Sequence, residues 1–256
     1  MDSYKTIPEV IHNVCLKNPD KDAIIEGDKR VTYRDLDVSI ANCAKAFNAA
    51  GVQPGDRVGL WAPNSAEWIV IALGIQSVGA ALVPINTRYK PGEAAYPLQK
   101  TKAKMLFTAE GFMGIEGEAA VAKIRQEGGP DIRIININGD EAKEDSLSSF
   151  LSSAESNDDD YRAHNFKDIS ASSLCDIMFT SGSTGKPKGV RHLHGPTVRQ
   201  TFNTIEENNL TDADRMLVIN PFFHVFGYTG GWVPALFSGA TVYPLPVFDV
   251  DQVLEL

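Results

Sequence analysis

"GDRVGLWAPNSAEWIVIALGIQSVGAALVPIN", Gly55 to Asn86, reads as three elements in succession. "DRVGLWAP" has the short apolar run of a buried strand, and Ser65-Ala-Glu67 supplies a helix start just before Trp68. Gly79 ends that helix and "ALVPIN" follows as a second strand. The run from Trp68 to Ile85 is the most membrane-like in the chain. Gln76, Ser77, two glycines and Pro84 interrupt it, so it reads as a buried helix and a buried strand, not a span. Strand–helix–strand order places the two strands in parallel, with helices covering the sheet.

The same alternation extends in both directions. Upstream, Thr6 with Glu9 forms a capping box before the helical face Ile7, Val10, Ile11 and Val14. "AIIEGDKRVTY" reads as a hairpin turning at Gly27-Asp28, and Thr32 with Asp35 opens a helix that Gly51 closes. Downstream, "KMLFTA" and "IRIININ" are two more short apolar strands separated by helical sequence. The expected fold class is therefore α/β, with mostly parallel sheets flanked by helices. Gly139 to Ser173 is rich in Ser, Asp and Glu and reads as a solvated helix and connecting loop. That composition change suggests subdomains over 1–170 and 171–256. "PVFDVDQVLEL" starts a helix at Asp249 that is still running at Leu256, which predicts a longer parent protein.

Composition narrows the function classes. With 256 residues the chain can bury a sizeable core. A net charge of −9 argues against a nucleic-acid partner, because phosphate backbones are bound by basic surfaces. A small anion remains compatible, since a local nest of N–H groups overrides global charge. Three widely spaced cysteines, Cys15, Cys43 and Cys175, form neither a disulfide framework nor a zinc site, which points to a reducing compartment, the cytoplasm. No transmembrane span is expected, and peripheral contact with a membrane surface is compatible with the sequence.

"DIMFTSGSTGKPKGVRHLH", Asp176 to His194, departs from this pattern. An apolar strand delivers Thr180, Ser181, Ser183 and Thr184 as hydroxyl donors. Gly182 and Gly185 let the backbone approach a ligand, and Lys186 and Lys188 supply positive charge. A Walker loop fails here: Gly182 and Gly185 are three apart, Lys186 precedes Pro187, and "GVRHLH" looks like strand, not helix. A Gly/Ser/Thr/Pro cluster is also the usual composition of a plain surface turn. His192 and His194 form an H-x-H pair with no third ligand evident nearby.

"TSGSTGKPKGV", Thr180 to Val190, closely resembles the phosphate-loop signature of the adenylate-forming superfamily of acyl-CoA synthetases, aryl-CoA ligases, luciferases and peptide-synthetase adenylation domains. "NPFFHVFG", Asn220 to Gly227, is similar to the family segment bordering the acyl site. The stretch from Gly55 to Asn86 resembles the family's N-terminal region. The resemblance implies activation of a carboxylic acid by ATP to an acyl-adenylate, with loss of pyrophosphate and then thioester formation with coenzyme A. It implies that Thr180, Ser181, Gly182, Ser183, Thr184, Gly185 and Lys186, with Lys188 as a further candidate, hold the phosphates, with Thr184 also on magnesium. It places His224 at the reacting carboxylate as the catalytic candidate, and Phe223, Phe226, Gly227, Tyr228 and Trp232 along the substrate pocket.

The pair Phe223-His224 favours an acyl-CoA ligase over peptide-synthetase domains, which carry Phe-Asp there. "FGYTGGWVPALFSGATVYPLPVFD" resembles bacterial members acting on ring-bearing propanoates; ordinary fatty acids are the alternative substrates. The family's later motifs and small C-terminal domain would follow Leu256, so the chain is expected to be the first part of a large N-terminal domain and catalytically incomplete by itself. Two other readings remain open: loading of a carrier-protein thiol, and a nucleotide-binding module without catalysis.

Overall fold

A computed structural model describes residues 6–153, 169–180 and 187–255. Helix α1 (Ile7–Lys17) leads into the hairpin β1 (Asp22–Glu26) and β2 (Lys29–Thr32), then α2 (Tyr33–Ala49). The predicted unit follows as β3 (Arg57–Trp61), α3 (Ala66–Ser77) and β4 (Ala81–Pro84). Next come α4 (Pro91–Thr101), β5 (Met105–Thr108), α5 (Gly117–Gln126), β6 (Arg133–Asn136) and α6 (Leu147–Ser152). The last part holds β7 (Leu174–Thr180), β8 (Lys188–Leu193), α7 (His194–Asn208), β9 (Arg215–Val218), the turn α8 (Val225–Gly227), α9 (Val233–Ser238), β10 (Thr241–Pro244) and α10 (Val250–Glu255).

The local signals act as the sequence indicates. Thr6 and Thr32 each accept from the backbone three residues on, and Glu9 and Asp35 reach back to close both capping boxes. Ser65 caps α3 by accepting from Trp68 N–H at 3.1 Å. Gly79 follows α3 at φ +74°, a left-handed conformation that glycine adopts without penalty.

Two sheets result. The larger has the order β6-β5-β3-β4-β7-β8, parallel throughout except for the antiparallel β7–β8 hairpin. The smaller has the order β2-β1-β10-β9, with β1, β10 and β9 parallel. Both sheets draw strands from either side of residue 170, so the strand layers are not divided at the expected subdomain boundary. Helices α1, α2 and α3 fill the main core, which reaches from Ile24 and Val242 of one sheet to Leu60 and Phe107 of the other. A second core lies over the larger sheet, where Leu98 of α4 and Ile124 of α5 meet Trp61 and Leu106.

Helix α3 is buried almost all round, from Trp68 to Ser77, which is why its sequence carries no polar stripe. It crosses α2 at Gly74, where an added Cβ would lie 2.7 Å from Cys43 Sγ and 2.9 Å from Cys43 Cβ. Gly74→Ala would gain about 1 kcal/mol of helix propensity. Overpacking of this kind costs roughly 1–3 kcal/mol. The clash with a rigid Cβ wins, and urea unfolding should show a net loss of about 1 kcal/mol.

One expectation needs correction. The serine-rich stretch after Gly139 is not simply a solvated connector: α6 drives Phe150 into the main core, against Phe47 at 5.2 Å and Phe107 at 5.1 Å. Ser146 caps this helix by accepting from Ser149 N–H at 3.1 Å, so the serines start the turn that aims Phe150 inward. Residues 154–168 of the predicted connector lie outside the described residues.

Candidate active site

Strands β7 and β8 form a hairpin whose loop end pairs Thr180 with Lys188. Both residues are exposed, and Thr180 Oγ1 lies 3.5 Å from the Lys188 carbonyl oxygen. Ser181, Gly182, Ser183, Thr184, Gly185 and Lys186 lie outside the described residues. Thr180 stands at the carboxyl edge of the parallel sheet, where open α/β sheets place their ligands.

The base of the hairpin is tied down by buried polar groups. Asp176, fully buried, meets His192 across the strands with Oδ1 2.5 Å from Nδ1. That hydrogen bond holds the His192 pKa above its ordinary value, against the opposing effect of burial. The Cys175 thiol donates to Asp176 Oδ2 at 3.3 Å, and burial together with that carboxylate pushes the thiol well up. His194 begins α7 fully buried, and its Nδ1 accepts the Ile7 N–H of α1 at 3.3 Å. The ring therefore carries its proton on Nε2, which has no partner among the described residues. Burial lowers the His194 pKa to about 4. The two histidines of the H-x-H pair thus turn to different partners, Asp176 and the start of α1.

The second segment follows β9. Asn64, in the loop between β3 and α3, holds it with three bonds. Its Oδ1 accepts from Phe222 N–H at 2.7 Å, and its Nδ2 lies 3.3 Å from Val218 O and 3.0 Å from Asn220 O. His224 caps the next turn: Nδ1 accepts from Phe226 N–H at 3.3 Å, which puts the ring proton on Nε2. The His224 ring is exposed and stacks on Phe226 at 5.7 Å and 9°. Phe226 is 68% exposed, Phe223 is half-buried, and Gly227 is buried beneath them.

Tyr228 and Trp232, expected to line the pocket, lie in the core instead. A π-helical turn (Tyr228–Trp232) points both rings inward, where they pack on each other at 4.9 Å and on Trp68 at 6.2 and 6.1 Å. Burial holds the Tyr228 hydroxyl in its protonated form by raising its pKa well above the phenol range. Two cavities of about 610 and 620 Å³ open elsewhere, the first beside α2, α3 and α6, the second at the carboxyl ends of β3, β5 and β6. Neither includes His224 or the described residues of the hairpin. Sequence reading missed Asn64, Gln76 and Asp176. The signal for the last two was a polar residue inside an apolar run.

The sequence matches the AMP-binding enzyme family over residues 11–256, and the chain belongs to that family. It is 36% identical over 256 residues to the 3-[(3aS,4S,7aS)-7a-methyl-1,5-dioxo-octahydro-1H-inden-4-yl]propanoyl:CoA ligase of Rhodococcus jostii, covering 97% of this chain and 49% of that protein. It is 30% identical over 229 residues to the long-chain-fatty-acid–CoA ligase FadD13 of Mycobacterium tuberculosis, covering 90% and 42%. The crystal structure of the N-terminal domain of FACL13 from Mycobacterium tuberculosis superposes with a TM-score of 0.80 at 26% identity, covering 98% of this chain and 60% of that one. This chain spans about half the length of the curated relatives it matches.

Proposed function

We propose that the protein is an acyl-CoA ligase that activates a carboxylic acid with ATP, releases pyrophosphate, and passes the acyl group to coenzyme A. A carboxylate is a weak electrophile with a poor leaving group, and the mixed anhydride with AMP remedies both. The observation that carries this reading is the family match, together with CoA ligases as the relatives over nearly the whole chain. Transfer at phosphorus depends chiefly on positioning and charge neutralisation. The exposed Thr180 and Lys188 at the loop end of the hairpin suit that task. Ser181 to Lys186 would complete the grip on the phosphates, and magnesium on Thr184 would neutralise their charge. His224 offers an outward Nε2–H that can donate to an incoming carboxylate or to the adenylate phosphate. Phe223 and Phe226 would flank the acyl group.

Ring-bearing propanoates are the favoured acids. Relatives of that name from Rhodococcus jostii and Mycobacterium tuberculosis are 36% and 34% identical, against 30% for FadD13. Three free, buried cysteines suit a cytoplasmic setting. The test is pyrophosphate release by the gene product at its natural length, with fatty, aromatic and ring-bearing propanoic acids, with and without coenzyme A. Multiple turnovers that need coenzyme A and a ring-bearing acid are expected. A single burst indifferent to coenzyme A would point to a carrier-protein thiol, and ATP binding without turnover would leave a binding module.

A further inference from the structure

One side chain bridges the two segments of the candidate site. Gln76, in the middle of α3, donates one amide N–H to the Tyr228 hydroxyl at 2.6 Å and the other to the Cys175 carbonyl at 3.3 Å. All three residues are fully buried. Tyr228 lies four residues after His224, and its own backbone N–H returns to the His224 carbonyl at 3.0 Å. Cys175 sits at the base of the hairpin, beside the Asp176 carboxylate that ties β7 to β8, and five residues before Thr180. The chain of contacts thus runs from the His224 turn, through α3, to the strand that carries the phosphate loop.

We propose that Gln76 and Tyr228 are positioning residues that fix the separation between His224 and the phosphate-loop hairpin; this rests on the acyl-adenylating reading of the site. Packing alone does not call for an amide here. A leucine would fill the same apolar surroundings without burying polar atoms. The amide adds two directional bonds to elements far apart in sequence, whereas apolar contacts define distance less sharply. The Tyr228 ring is held by Trp68 and Trp232, so its hydroxyl is a fixed point. Misplacing two reacting groups by about 1 Å costs roughly a hundredfold in rate even when each partner still binds.

The test uses the natural-length protein and two variants, Tyr228→Phe, which keeps the ring packing, and Gln76→Leu, which removes both bonds. In acid-dependent ATP–pyrophosphate exchange, kcat is expected to fall about tenfold or more in each, with KM for ATP and acid within about threefold. The double variant should be no slower than Gln76→Leu alone, since the bonds act as one unit. Full kcat in folded variants, or a loss that merely tracks the folded fraction, would overturn the proposal. Hydrogen exchange gives a second reading that does not need turnover. Tyr228→Phe should raise exchange about tenfold at residues 224–228 and also at residues 188–192. An increase in only one segment would refute the coupling, even were the wild type inactive. Inactivity of the wild type would count against the proposed function instead.

Discussion

Gly227→Ala should unfold the His224 segment and remove about 3 kcal/mol of stability, one of the largest single-methyl effects in this chain. A Cβ on Gly227 would sit 2.4 Å from the Asn220 carbonyl oxygen and 2.3 Å from that of Pro221. Neither oxygen is free to retreat. Asn220 O accepts from Asn64 at 3.0 Å, and Pro221 O accepts from the His224 N–H at 3.0 Å. Relief of the clash therefore breaks the bonds that present His224. Gly230 is the matched control, since an added Cβ there meets nothing closer than 3.8 Å. Gly230→Ala should change stability by less than about 1 kcal/mol. Urea unfolding of both variants checks the pair, and equal effects would show that the turn tolerates the methyl.

Acidification should weaken the fold through His194, in a window set by its two pKa values. The ordinary histidine value is 6.5 and burial lowers it to about 4 in the folded chain. Above pH 6.5 the ring is neutral in both states and its contribution is fully present. Between 6.5 and 4 the unfolded chain takes up a proton that the folded chain refuses, so stability falls with pH. The loss approaches about 3 kcal/mol by pH 4 and then levels off. His192 has the opposite sign. Asp176 raises its folded pKa, so its contribution is present below 6.5 and fades as pH rises through that higher value. Denaturant titrations from pH 4.5 to 7.5 check this. His194→Gln, which keeps an acceptor for Ile7 N–H but cannot titrate, should flatten the acid limb alone.

What could be read from the sequence was local in origin. The boxes at Thr6-Glu9 and Thr32-Asp35 need partners three residues away, and α3 declares itself by apolar content alone. The long apolar run with its terminal Gly79 was enough to place a buried βαβ unit. Phe150 escaped because its neighbours are serines, although Leu147, Phe150 and Leu151 share one helical face. Asn64 and Gln76 act on partners 99 to 158 residues away in sequence, a relation that no spacing rule contains. Tyr228 and Trp232 show the converse difficulty. Aromatics beside glycines suit a pocket wall or a core equally, and the π-helical turn that decides between them leaves no periodic trace.

The smaller sheet joins strands from distant parts of the chain: Ile24 of β1 pairs with Val242 of β10, and Thr241 Oγ1 donates to the Asp22 carbonyl across 219 residues. During synthesis the β1–β2 hairpin therefore leaves the ribosome long before its partner exists. At roughly 5–20 residues per second, the wait lasts about 10–40 seconds. Throughout it, β1 presents an unpaired edge, the kind of surface on which strands of other molecules add. Contact order this high makes late closure of the sheet the expected slow step of folding, and nascent chains halted before Val242 a natural client for chaperones.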